Sequence, residues 1–190
     1  MGGTFDPIHM GHLIAAERAR ISTKLDNVWF IPTHTPPHKK HAPQASPQHR
    51  FEMLCQATES NPYFHALDVE LKKGGISFSI DTIEYLITNY PQHEWAYIIG
   101  ADMLAYLPQW HRIDEIFQHL TFIVLVRPGY ELKLDHIPAS LHSRITVVTM
   151  PLIEISSSEI RASLHQDEFN RYSVPESVYR YMKENHLYES

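Results

Sequence analysis

The 190-residue chain is poor in cysteine, in basic charge and in long apolar runs. With Cys55 alone, no internal disulfide can form, which fits a reducing compartment. No apolar run reaches the ~18–20 residues that span a bilayer, which excludes a membrane-spanning helix. The opening MGGTFDPIHMGHL has no basic stretch leading into an apolar core, so no secretory signal is read and a cytoplasmic protein is expected. Acidic residues outnumber basic ones, 22 to 16, for a formal net charge of −6. That balance argues against general nucleic-acid binding, which draws on a basic face. It leaves room for one small anionic ligand, because a site is set by local charge. Internal repeats and low-complexity segments are absent too.

What is present is an alternation of short apolar runs with helical patterns, within 43% hydrophobic residues. Residues 28–31, 64–69, 95–99, 122–126 and 145–148 read as strands: short, rich in β-branched and aromatic residues, and bounded by turn residues. Runs such as Phe122-Ile123-Val124-Leu125-Val126 suit a parallel sheet covered on both faces. Helical patterns cover residues 12–24, Pro47–Thr58, 81–89 and Ile113–His119. Ser46 before Pro47 is a cap followed by proline in the first turn. This order predicts one α/β domain over residues 1–190, with a doubly wound, Rossmann-like, mostly parallel sheet and helices on both faces. A small helical subregion is expected over residues 156–190. Within it, Ser156 and Glu159 have capping-box spacing, a short helix is expected over about 159–164, and a closing helix spans 175–185 with Pro175 in its first turn. The Pro- and His-rich stretch 32–47 lacks periodicity and reads as a long loop, a type that often carries function.

Several strings carry chemistry. In Gly2-Gly3-Thr4-Phe5-Asp6-Pro7-Ile8-His9-Met10-Gly11-His12, glycines allow backbone to approach a phosphate, and two histidines flank Gly11 where a helix begins. A helix start has free N–H groups and attracts anions, and imidazoles placed there can donate to phosphate oxygens as charge shifts. Read blandly, the string is a glycine turn with two solvated histidines. Lys39 in Pro36-Pro37-His38-Lys39 is a compact cation suited to phosphate on a loop that can close; the bland reading is a solvated basic loop, as for Lys40. Asp102 in Gly100-Ala101-Asp102 follows a buried strand, where ligands of open α/β sheets sit, and is suited to ribose hydroxyls or to capping a helix. Trp110, in Leu107-Pro108-Gln109-Trp110-His111, is suited to stacking on a cationic ring or to the core. Ser77, Ser79 and Thr82 are hydroxyl residues at a helix start, where caps are ordinary. Arg161 beside the Ser156-Ser157-Ser158 start completes an anion site, and Arg127 ends its strand.

Taken in order, GGTFDPIHMGH, PPHK, IGAD, LPQWH, RPG and ISSSEIR resemble bacterial nicotinate-nucleotide adenylyltransferase, within the nucleotidyltransferase superfamily marked by H-x-G-H. The likeness runs from Gly2 to the end of the chain. It implies adenylyl transfer from ATP to nicotinate mononucleotide, with magnesium carried by ATP and no metal site built from protein ligands. It implies catalytic roles for His9, His12, Lys39 and Arg161. The ATP side would comprise Gly2, Gly3, Thr4, Phe5, His12, Gly100, Asp102, Arg127, Ser156, Ser157 and Arg161. The nicotinate nucleotide would meet Lys39, Ser79, Thr82, Trp110 and His111. His111 stands where the family often has Tyr, which a backbone contact would tolerate. Ser79 and Ser158 stand where it often has Thr.

Two classes of rival compete with this reading: a sibling enzyme using nicotinamide mononucleotide, phosphopantetheine or a cytidylyl donor, and a nucleotide-binding module without catalysis. A histidine-rich metal protein is the weakest, because His34, His38 and His41 have no Cys or carboxylate at ligand spacing. A homo-oligomer is compatible with the sequence. The family usually has an apolar strand ahead of the glycines, and this chain opens on Met1-Gly2-Gly3. The expectation is therefore that the central strand is missing, that Gly2 and Gly3 form the turn into the first helix, and that neighbouring strand edges are left unpaired.

Overall fold

The computed structural model describes residues 1–37, 42–130, 134–135, 137–164, 166 and 168–189. Its elements alternate along the chain. They are β1 (Gly2–Gly3), α1 (Met10–Thr23), β2 (Val28–Pro32), α2 (Pro47–Thr58), β3 (Phe64–Ala66), α3 (Val69–Lys73) and α4 (Ser79–Asn89). There follow β4 (Ala96–Gly100), α5 (Ala101–Leu104), α6 (Ile113–His119), β5 (Thr121–Val126), β6 (Ile145–Thr149), α7 (Ser157–Leu164) and α8 (Glu176–Glu184). Every described strand pair is parallel. The strands form two three-stranded sheets, β1-β2-β3 and β4-β5-β6, and β1 lies against β4.

Helices cover both faces, and alternation along the strands shows it. Ile98, Ile123 and Leu125 join a core with Ala15, Ala16, Ala19, Met53 and Val178, beneath α1, α2 and α8. Their neighbours Ile99, Phe122 and Val124 join a second core with Ile80, Ile83 and Ile116, beneath α4 and α6. Strand side chains alternate in direction, so continuous apolar runs feed both cores.

Several expectations change. Gly2 and Gly3 are a strand rather than a turn: they pair with Ile31 and Pro32, and the Met1 amino group donates to the Trp29 carbonyl at 2.8 Å. Among the described residues β1 and β4 are not paired, so the sheet divides there, and a cavity of about 700 Å³ opens beside Met1, Trp29, Trp95 and Tyr97. The strand read over 64–69 stops at Ala66, because residues from Val69 turn into a short helix that ends at Gly74, whose φ of 71° suits a residue without Cβ. Pro175 flanks α8 as its cap rather than entering it. No described helix is long and apolar enough to cross a membrane.

Candidate active site

In a parallel sheet all strands end on one side, so Gly100 and Val126 bring their following residues to one rim, and Gly3 ends β1, which lies against β4. The first rim segment leaves β1 through Thr4 and Phe5. Phe5 has a left-handed φ of 49° and a ring that is 2% exposed. A Cβ on Gly3 would come within 2.8 Å of that ring, so the close fold-back requires glycine. Asp6, 4% exposed, accepts from the backbone N–H of Gln44 at 2.8 Å and Ala45 at 3.0 Å, and from the Tyr188 hydroxyl at 2.7 Å. Arg50, wholly buried on α2, donates to the carbonyls of Thr4 and Thr33, each at 2.7 Å. Burial lowers the Arg50 pKa, opposed by Asp6 and Tyr188. These bonds offset the burial of both charges, although the buried Arg50 Nε has no hydrogen-bond partner. Sequence reasoning assigned no role to Asp6, Arg50 or Tyr188; only the position of Asp6 inside the glycine string hinted at one.

The second feature is the start of α1. His9 is its cap residue, and its ring stacks on that of His12, with centroids 3.7 Å apart and planes 25° from parallel. The His9 backbone N–H donates to His12 Nδ1 at 3.3 Å. A neutral imidazole that accepts at Nδ1 carries its proton on Nε2. Burial pushes His9 down to about 4, against the pull of Glu159, so it is uncharged at neutral pH. Its Nδ1 is buried with no protein partner. A Cβ on Gly11 would lie 3.0 Å from that nitrogen, so the glycine between the histidines makes room for the His9 ring.

From the far end of the chain, α7 docks on the same loop. The Ser157 hydroxyl donates to the Pro7 carbonyl at 2.9 Å, and Arg161 Nη1 donates to the Asp6 carbonyl at 2.6 Å. Ser156 caps the helix, accepting from the Glu159 N–H at 3.2 Å. The reciprocal half of the capping box differs from expectation: the Glu159 carboxylate takes the Ser156 hydroxyl at 2.8 Å instead of a backbone N–H. The helix therefore begins at Ser157, two residues earlier than the pattern suggested.

At the other rim, the exposed Asp102 folds back over Gly100, where a Cβ would stand 2.9 Å from its Oδ1. Arg127 is exposed just past β5. Ser79 is half-buried, with its hydroxyl 3.4 Å from that of Tyr97. Trp110 is half-buried, its ring edge-on to Tyr97 at 5.5 Å and Phe122 at 6.1 Å, and its Nε1 has no protein partner. His111 is exposed and sits 4.8 Å from the Phe78 ring. Thr82 is not brought to the rim: it is buried in α4 and its hydroxyl donates to Glu70 at 2.7 Å, which makes it a support of that helix. Lys39 and the neighbouring His38, Lys40 and His41 lie outside the described residues.

A short loop held from beneath, two stacked histidines at a helix start and an arginine aimed at the same loop make a donor-rich cradle for phosphates. The profile of the cytidylyltransferase-like family matches residues 1–163. A Bacillus subtilis protein named nicotinate-nucleotide adenylyltransferase is 38% identical over 189 residues, which is 100% of this chain and 96% of the relative. The chain belongs to this adenylyltransferase family. An Oceanobacillus iheyensis relative named "probable nicotinate-nucleotide adenylyltransferase" is 45% identical over 188 residues, 99% of this chain and 94% of its own. The fold is that of Plasmodium falciparum nicotinic acid mononucleotide adenylyltransferase, solved in complex with NaAD. That likeness has a TM-score of 0.75 at 18% identity and covers 99% of this chain and 95% of that one. Within the family frame, the H-x-G-H histidines, Ser157 and Arg161 converge on one loop, whereas Trp110, Ser79 and His111 belong to the β4 side.

Proposed function

We infer that the protein transfers the adenylyl group of ATP to nicotinate mononucleotide, releasing pyrophosphate and forming nicotinate adenine dinucleotide for NAD biosynthesis. The observation that carries this reading is the convergence of His9, His12 and Arg161 on the loop leaving β1. The nucleophile is the 5′-phosphate of the mononucleotide, already mostly dianionic at neutral pH, so no general base is needed. One P–O bond forms at the α-phosphorus of ATP, and the bond to the β-phosphate bridging oxygen breaks. Catalysis is then a matter of alignment and charge stabilisation. His12 Nε2–H donates to a reacting phosphate, and the α1 start adds its free amides. His9 is neutral and orients His12 by stacking. Arg161 is anchored at Asp6 through Nη1 and directs the rest of its guanidinium to the triphosphate. Lys39 completes the phosphate contacts. Gly2, Gly3, Thr4 and Phe5 supply backbone on the ATP side, joined at the strand ends by Gly100, Asp102 and Arg127.

Trp110 stacks on the pyridine ring, Ser79 offers its hydroxyl to the carboxylate, and His111 contributes backbone. Magnesium carried by ATP would be held by the phosphates and would offset charge on the leaving pyrophosphate. The described cradle residues are donors and cations rather than a carboxylate set, which fits a metal held by phosphates. The test is pyrophosphate release from ATP and magnesium with nicotinate mononucleotide, nicotinamide mononucleotide and phosphopantetheine in turn. The highest kcat/KM is expected with nicotinate mononucleotide. A preference for phosphopantetheine, or no turnover with any acceptor, would refute the reading.

A further inference from the structure

Beyond α8 the chain turns back on itself. His186 and Tyr188 both take left-handed conformations, with φ of 50° and 64°, and the Leu187 N–H returns to the Met182 carbonyl at 2.9 Å. Such conformations are unfavourable for residues with a Cβ and persist where other contacts fix them. What fixes them here is Tyr188. Its ring is 7% exposed, in the same core as Phe5 and Ile8, and its hydroxyl donates to Asp6 Oδ1 from 182 residues away.

Asp6 is where four segments meet. Oδ1 takes the Ala45 N–H as well as Tyr188, and Oδ2 takes the Gln44 N–H with Arg161 Nη1 at 3.8 Å. Arg161 also donates to the carbonyl of the same residue. A buried carboxylate is held in one orientation by the donors around it, and losing one leaves charge unsatisfied and the group freer to rotate. Among the described residues, Tyr188 is the one side-chain hydroxyl bonded to this carboxylate. Among the described residues, the hydrogen bonds of this network do not reach Trp110, Ser79 or His111, so its influence falls on one half of the site.

We propose that Tyr188 is a positioning residue for adenylyl transfer: its hydroxyl fixes the Asp6 carboxylate, and through Asp6 the loop leaving β1 and Arg161, on the triphosphate side of the site. This rests on the adenylyl-transfer reading above. Tyr188→Phe keeps the ring and removes only the hydroxyl. KM for ATP is expected to rise about ten-fold, as for a weakened charged hydrogen bond, with KM for nicotinate mononucleotide within about two-fold of the parent. Amide exchange at Gln44 and Ala45 should quicken. In a cycle with Asp6→Asn, the second change should add little, because both act on one group. Unchanged KM for ATP in the folded Tyr188→Phe protein, equal rises in both KM values, or additive losses in the cycle would each overturn the proposal. Calorimetric ATP affinity of parent and variant judges Tyr188 separately: a parent that binds ATP yet fails to turn over nicotinate mononucleotide sinks the functional reading alone.

Discussion

A histidine at a helix start can act as a cap, a proton carrier or an anion ligand, and the surroundings of each ring decide among them. His9 is buried and uncharged at neutral pH, which suits it to hold its neighbour in place. His12 accepts from the backbone at Nδ1, so its proton sits on Nε2, the tautomer that can donate to a phosphate. Removing that donor should therefore spare the fold and slow the chemistry. His12→Ala is expected to lower kcat by roughly 10²-fold or more, as for a lost transition-state donor. Near-normal turnover in a folded His12→Ala protein would remove the residue from the mechanism. Trp110 differs, because its ring already packs on Tyr97 and Phe122 while remaining half-buried. Trp110→Ala should raise KM for nicotinate mononucleotide by roughly 5- to 150-fold, given ~1–3 kcal/mol per stacked base, and leave KM for ATP nearly unchanged. A rise confined to KM for ATP would assign the ring to the adenine side or to the core.

At the scale of elements, the weak point is the seam between the two sheets. In a parallel ladder alternate residues bond to either neighbour. Ile31 and Thr33 donate to Met1 and Gly3 carbonyls, so Trp29, two residues earlier, turns its N–H toward the same seam. Met1 is the last residue of β1's side to meet it, and its amino group occupies the place of a ladder N–H. The cavity of about 700 Å³ continues along that line between β2 and β4. An added strand of five or six residues, ~17–20 Å long, would follow the line and pair with both edges. A variant with such an apolar segment joined ahead of Met1 should melt at least about 6 °C higher. Two buried apolar side chains contribute ~1.5–3 kcal/mol each, and each kcal/mol is worth ~2–4 °C at this size. Equal melting temperatures for the two chains would show that the seam is closed by other means.

At the scale of the whole molecule, features with a local signal were legible and those made by distant segments were not. Pro47–Thr58 and Ile113–His119 were read to the residue, because a Ser-Pro start and the apolar runs beside them mark their limits. The placing of His9, Gly11 and His12 together was legible because they lie within four positions of one helix start. The bonds that hold its loop join Arg50 to Thr4 and Tyr188 to Asp6 across 46 and 182 residues, and no periodicity announces such pairs. Trp110 was left between stacking and core by sequence, and the structure shows why: its ring is shared between a core contact and the rim.

Burial leaves its own mark on the stability of the whole chain. It lowers the Met1 amino group from 8.0 to about 5, with Glu70 opposing, and His9 from 6.5 to about 4. Both are bases that the unfolded chain protonates more readily than the folded one. Through these two groups the unfolded state binds more protons between pH 4 and 8, so their contribution to stability rises with pH across that window. The amine governs the upper part, from about 5 to 8, and His9 the lower part, from about 4 to 6.5. Glu70, raised by burial, has the opposite sign: it favours the fold while protonated and loses that contribution as pH rises. The lowered carboxyls of Glu17, Glu115 and Glu189 act below their ordinary 4.5, and Cys55, Tyr97 and Tyr188 above their ordinary 9.0 or 10.0, so neither set shapes the window. Urea unfolding midpoints followed from pH 4.5 to 8 should climb. Acetylating the Met1 amine removes its titration and should flatten the climb between about 5 and 8, while His9→Gln should flatten it below about 6.5. A climb that survives acetylation undiminished would mean that the amino group is not carried into the fold uncharged, and that the seam beside β1 is open to water.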